Sequence, residues 1–310
     1  MPTVAIVGAG LIGRSWAIVF ARAGWQVRVT DPEARTLENA SRLIREGLEE
    51  LSTHGLVTEP ALAAGRVTAV SSLSEAVDGV DLVQENGPEV VETKRAIFAE
   101  LDRLCPSHTI LASSTSAIVT SRFTEELLGR ARCLVAHPVN PPHLVPLVEL
   151  CGASWTSAET IERARVIYES VEQVPIMVNR EVEGFVLNRL QGALLAEAFR
   201  LVGEGVVSPQ DLDKTLKNGL GLRWSFMGPF ETIELNAPGG IADYCDRYTG
   251  FYRSLSQDPA KPDVWDKDNV GRILDAWGGT PSSDALTRRS AWRDKRLAAL
   301  RAHKNTQPET

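Results

Sequence analysis

The chain has 310 residues, 43% hydrophobic and 24% charged, with a net charge of −7. These are the proportions of a folded globular protein of about two domains. The acidic balance argues against nucleic acid as a partner, and no run of about 18 apolar residues offers a helical membrane span. No basic N-terminal region precedes a long apolar stretch, and Cys105, Cys133, Cys151 and Cys245 form no Cys-x-x-Cys, so a reduced, cytoplasmic protein without a secretory signal or a metal site is expected.

In chain order, short runs rich in Val, Ile and Leu at 4–7, 26–30, 66–70, 81–85, 109–113 and 133–137 predict strands. Most lack strict alternation, as parallel strands covered on both faces do. Helical patterns at 11–23, 33–53 and 90–104 lie between them, which predicts βαβ units and a doubly wound sheet. Two more strands are expected at 145–151 and 174–178, with a helix at 157–172 between. After Gly184 only helical patterns follow. Ser208-Pro209-Gln210-Asp211 predicts a helix start with a Ser cap and Pro in the first turn. The segment 287–304 carries seven basic residues and one acid, and is expected to be a docked helix with a solvated basic face.

Gly8-Ala9-Gly10-Leu11-Ile12-Gly13 runs from the first strand into the first helix. Gly8 permits a tight turn, Gly10 lets the backbone approach a pyrophosphate, and Gly13 lets helix and strand pack closely. The helix start supplies unpaired N–H groups. The second strand leads to Asp31, placed to accept from ribose hydroxyls. An acid there repels a 2′-phosphate, so NAD is expected rather than NADP.

His137 ends a strand and opens His137-Pro138-Val139-Asn140-Pro141-Pro142, where the prolines forbid helix. Further on, Glu149 sits inside Pro146-Leu147-Val148-Glu149-Leu150. A carboxylate among such neighbours needs a partner, and an imidazole held by it would keep its other nitrogen free as a base. A structural histidine and an unrelated glutamate fit these two residues equally well. Ser116, at another strand end, either caps a helix or meets a substrate. Asn188, among Phe185, Leu187 and Leu190, suits a site or a helix contact. Arg223 is a lone cation in an apolar, glycine-rich turn, so it pairs with an internal acid or awaits an anionic ligand.

The glycine fingerprint, Ser116, the His137 loop, Glu149 and Gly184-Phe185-Val186-Leu187-Asn188-Arg189 resemble the L-3-hydroxyacyl-CoA dehydrogenase family in order and spacing. The resemblance implies that His137 is the catalytic base and Glu149 its partner, with Ser116 and Asn188 at the reacting oxygen. It sets Glu89 and Lys94, beside Gly8, Gly10, Leu11, Ile12, Gly13 and Asp31, against NAD. It implies an α/β protein: a Rossmann domain over 1–180, then an all-helical dimerisation domain over 181–310, assembled as a homodimer. Val207-Ser208-Pro209, Gly219-Leu220-Gly221, Leu235-Asn236-Ala237 and Tyr244-Cys245-Asp246-Arg247-Tyr248 resemble a branch of the family that acts on small hydroxy acids. The acyl-CoA enzymes are lysine-rich after the second strand, whereas 35–55 holds three Arg, four Glu and no Lys. That favours a small hydroxy-acid substrate, its carboxylate held by Arg223. The complete Ser–His–Glu–Asn set exceeds what a purely structural protein would require.

Overall fold

Eight strands form one sheet in the computed structural model, which describes residues 1–308. They are β1 (Thr3–Val7), β2 (Gln26–Thr30), β3 (Val67–Ala69), β4 (Leu82–Glu85), β5 (Ile110–Ser113), β6 (Cys133–Pro138), β7 (Leu147–Gly152) and β8 (Val174–Met177). Each expected strand is present, with ends moved by about one or two residues. Their spatial order is β3-β2-β1-β4-β5-β6-β7-β8. Every pairing is parallel except that of β6 with β7. The order reverses between β1 and β4, where an open α/β sheet leaves a crevice at the carboxyl ends of its strands. This is the doubly wound Rossmann sheet.

Alternate residues of β1 feed opposite faces, as the two-residue period requires. Val4 and Ile6 join a core containing Trp16 and Phe20 of α1 (Leu11–Arg22). Ala5 and Val7 join another with Phe98 and Leu101. Helix α2 (Ala34–Thr53) buries Ala40, Ile44, Leu48 and Leu51, a stripe at helical spacing that leaves its acids outside. Two one-turn helices, Pro60–Ala64 and Leu73–Val77, follow it. The sequence does not announce them, because five residues are too few to display a period.

The described chain divides into two units. The first takes Met1–Asn188 and the chain from Thr287 onward; the second is Arg189–Leu286. The sequence reading assigns 181–310 to one helical domain, whereas the last helix, Ser283–Asn305, returns most of its length to the first unit. Ala298 is buried there and Leu297 packs against the same core as Trp16 and Phe20. A helix's sequence shows which of its residues are apolar, not which core receives them.

The second unit is helical throughout, with Pro209–Thr215, Gly240–Leu255 and Lys267–Trp277 following the long helix Leu187–Gly203. Ser208 caps as expected, its hydroxyl accepting from the Asp211 N–H at 3.1 Å. Phe199 packs on Trp265 with centroids 4.6 Å apart. Buried Asn269 donates to the Val264 carbonyl at 2.7 Å.

Candidate active site

The glycine turn closes as its residue types require. Gly8 has φ +95°, in the left-handed region, and a side chain there would stand 2.9 Å from the Asn86 carbonyl oxygen. A Cβ on Gly13 would lie 1.8 Å from the Gly8 carbonyl oxygen, so only glycine fits. Around Gly10 the space is open within 4 Å. No side chain caps α1 at Gly10, so the first amides of the helix, at Leu11, Ile12 and Gly13, face that opening without an intrahelical acceptor. Unpaired N–H groups, the positive end of a helix and an uncluttered approach fit a pyrophosphate. Half-buried Asp31 accepts from the Ala9 N–H at 2.7 Å and the Glu33 N–H at 2.9 Å. It thus braces the glycine turn, at the end of β2 where the sequence leads one to expect a ribose contact.

The antiparallel pairing of β6 with β7 sets His137 directly opposite Glu149. His137 Nδ1 lies 2.7 Å from Glu149 Oε2, with the side chains 6% and 0% exposed. The other carboxylate oxygen accepts from the Val186 and Leu187 N–H groups at 2.8 and 2.9 Å. These amides start the helix Leu187–Gly203, whose N-terminal end favours an anion. The chain reaches them through Gly184 at φ +76° and Phe185 at φ +47°. A left-handed phenylalanine costs roughly 1–2 kcal/mol. Full burial of its ring, tilted against His137 at 5.6 Å, accompanies that strain. Burial acts to raise the Glu149 pKa. The His137 hydrogen bond and the two backbone donors outweigh it and hold the carboxyl below its usual range. The carboxylate is therefore ionised at neutral pH, which assigns Nδ1 as the donor and makes Nε2 the ring nitrogen not engaged by Glu149.

Ser116 and Asn188 meet through the backbone, Asn188 Nδ2 donating to the Ser116 carbonyl at 2.8 Å. Asn188 is half-buried rather than enclosed, and Ser116 is exposed. Glu89 Oε1 accepts from Thr115 Oγ1 at 2.5 Å and from the N–H groups of Ser116 and Ala117 at 3.0 and 2.9 Å. It therefore shapes the Ser116 loop. Lys94 lies beneath the surface expected of it: it is 1% exposed and donates to both oxygens of buried Glu85, at 3.1 and 2.9 Å. An ammonium so enclosed satisfies an internal carboxylate rather than a ligand. Glu85 also takes the Gly87 N–H at 2.6 Å and the Ser113 hydroxyl at 2.6 Å, which joins the loops after β4 and β5.

Sequence reasoning passed over that acid and its neighbours. Ser114 Oγ accepts from Trp16 Nε1 at 3.0 Å and Gln84 Nε2 at 2.7 Å, and donates to Asn86 Oδ1 at 2.7 Å. Tyr168 donates to Gln84 from the core that holds Trp16 and Phe20. The available signal was Gln84-Glu85-Asn86 closing an otherwise apolar strand, since buried polar groups require partners.

Arg223 lies in the second unit, on the short helix Gly221–Trp224. The expectation that it is buried is corrected: it is exposed, beside the exposed Leu222, Phe226 and Phe230. Glycines at 219 and 221 keep this stretch from building a core of its own. The three buried thiols are poor nucleophiles, because burial pushes Cys105 up to about 11 and Cys133 and Cys151 to about 12.

Family models of the 3-hydroxyacyl-CoA dehydrogenases match residues 3–182 (the NAD binding domain) and 184–273 (the C-terminal domain). The chain is 42% identical over 307 residues to lambda-crystallin of Oryctolagus cuniculus, covering 96% of each. It is 40% identical over 235 residues to L-carnitine dehydrogenase of Oceanobacillus iheyensis, covering 76% of each. Among solved structures, an NAD+-dependent dismutase, 5-formyl-3-hydroxy-2-methylpyridine 4-carboxylic acid 5-dehydrogenase, aligns with TM-score 0.86 and 28% identity, over 99% of this chain and 100% of that one. The 3-hydroxybutyryl-CoA dehydrogenase of Escherichia coli aligns with TM-score 0.67 and 30% identity, over 84% of this chain and 54% of that one.

Proposed function

The chain belongs to the 3-hydroxyacyl-CoA dehydrogenase family, and we propose that it oxidises the 3-hydroxyl of L-gulonate to 3-dehydro-L-gulonate with NAD. The observation that carries the chemistry is the cross-strand pair at the end of β6: an imidazole held at Nδ1 by an ionised, buried carboxylate, with Nε2 free. In this reading Nε2 takes the hydroxyl proton. NAD, when bound at the glycine turn, supplies the acceptor for the hydride leaving the same carbon. Ser116 and Asn188 orient the reacting oxygen, and Glu89 holds the Ser116 loop in place for it. Lys94 acts from below through Glu85.

Two features support a free acid over an acyl-CoA. The motifs around His137, Glu149 and Tyr244 resemble those of L-gulonate 3-dehydrogenase, the enzyme also known as lambda-crystallin. Helix α2 presents no lysine to an adenosine 3′-phosphate. Arg223 is the proposed partner of the substrate carboxylate. The second unit exposes Leu190, Phe226, Phe230 and Leu235, apolar area that a monomer rarely leaves to water, and we infer a homodimer that covers it. L-Carnitine is the alternative substrate, favoured by the dehydrogenase relatives of that name.

The test is NADH formation from L-gulonate, L-carnitine, 3-hydroxybutyrate and 3-hydroxybutyryl-CoA. L-Gulonate is expected to give the highest kcat/KM. Preferred turnover of the thioester overturns the sugar-acid reading and leaves the family chemistry intact.

A further inference from the structure

The loop joining β6 to β7 has His137 at its start and Glu149 soon after its end, and two arginines from distant parts of the chain converge on its middle. Arg22, in the last turn of α1, donates to the His143 carbonyl at 2.9 Å. Arg301, on the C-terminal helix, donates to the same carbonyl at 3.0 Å and to the Glu172 carbonyl at 3.2 Å. The two side chains are 5% and 10% exposed.

For stability alone this arrangement is poor. Burial first, and then repulsion from Arg301, push Arg22 down to about 10, while Glu172 opposes them. That glutamate is 70% exposed and stands 3.8 Å from each guanidinium. Nε and one terminal nitrogen of Arg22 are buried without an acceptor. His143 adds no further cation: burial, with Arg22, Arg301 and Arg293 behind it, pushes its pKa down to about 4. Two enclosed like charges sharing one carbonyl oppose folding, and an apolar pair of similar size would not. What the pair does accomplish is geometric. A carbonyl held from two sides fixes the loop whose ends set the His137–Glu149 register.

We propose that Arg301, acting with Arg22 through the His143 carbonyl, is a positioning residue for the proton-accepting imidazole. The inference rests on the reading of His137 as the base. It gives the C-terminal helix a part in positioning the imidazole, exerted through the His143 carbonyl. The basic stripe of that helix thus has two kinds of member: solvated residues such as Arg288 and Arg289, and Arg301, which faces the loop.

The experiment compares wild type, Arg301→Lys, Arg301→Met, His137→Gln and the double variant His137→Gln/Arg301→Met, by kcat, KM for NAD and Tm. Misplacing a catalytic group by about 1 Å costs up to roughly 100-fold, so Arg301→Met is expected to lower kcat about 10- to 100-fold. KM for NAD should stay within about twofold and Tm within about 3 °C, because a repulsion is removed along with the hydrogen bonds. Lysine keeps the charge, but one ammonium cannot reach both carbonyls, so Arg301→Lys should fall between. The double variant should be no slower than His137→Gln, because both changes act at one group. Wild-type kcat in Arg301→Met, or losses that multiply in the double variant, overturns the proposal while leaving His137 as the base. Wild-type turnover in His137→Gln overturns the base assignment, and this proposal with it. Should Arg301→Met not fold, Arg301→Lys carries the comparison, and wild-type kcat there overturns the proposal.

Discussion

At the β1–β2 end of the sheet the surface offered to a ligand is backbone. Gly10 opens onto empty space, the first amides of α1 face it, and Asp31 already holds the turn by the Ala9 and Glu33 amides. At the β6–β7 end the surface is two side chains, one set opposite the other by antiparallel register and both nearly inaccessible to water. The backbone end tolerates no side chain at Gly8 or Gly13, where a Cβ would meet a carbonyl oxygen. The side-chain end tolerates no loss of polarity, since each polar atom of Glu149 has a named partner. Binding a large anion calls for many weak donors fixed by the main chain. Moving one proton calls for a single group in one orientation. The two ends should therefore fail differently when altered.

The largest effect is expected from His137→Gln, which removes the proposed proton acceptor and leaves the glycine turn intact. Turnover should fall by roughly 10²-fold or more, with NAD affinity within a few-fold of wild type. A variant with wild-type kcat would return the role to another group.

Asp31→Ala tests the opposite end. It removes the acceptor for ribose hydroxyls and the brace of the Ala9 amide together, so NAD affinity should weaken about 10-fold or more. The gap to NADP should narrow, while kcat at saturating NAD changes little. A wild-type preference for NADP in steady-state assays would break the comparison at its cofactor end.

Arg223→Lys sharpens it at the substrate. A guanidinium grips a carboxylate bidentately and an ammonium does not, so KM for L-gulonate should rise about 10-fold with KM for NAD unchanged. A KM indifferent to this change, measured beside a neutral substrate analogue, would remove Arg223 from the pocket.

The smallest effect is on stability. The Glu149 carboxyl is held below its usual range in the fold, so its contribution is present above the ordinary carboxylate pKa and lost as pH falls through the lowered one. Tm curves of wild type and Glu149→Gln should lie apart at neutral pH and converge in acid. A constant separation down to about pH 3 would mean that the carboxylate's charge adds nothing.

Much of this molecule is legible without coordinates. The inner strands show as runs of Val, Ile and Leu because both faces of the sheet are buried there and demand them. The Gly8–Gly13 turn shows because local geometry at Gly8 and Gly13 leaves no room for a side chain. Asp31 shows because it follows the second strand directly. These signals are local, and local constraints leave local marks. The pairing of His137 with Glu149 was one of two equal readings until β6 and β7 proved antiparallel, since register is a relation between segments and neither segment carries it. The resemblance sets Lys94 against NAD, and its enclosure with Glu85 is invisible in sequence because that partner belongs to another element. Arg301 looked like one more solvated charge because nothing around it in sequence reveals the His143 carbonyl or the core that receives Ala298. Secondary structure and the nucleotide turn follow from what neighbouring residues do to one another. The enclosed charges, the orientation of the base and the return of the last helix were decided only by tertiary structure, because each depends on what a distant segment places within hydrogen-bonding reach.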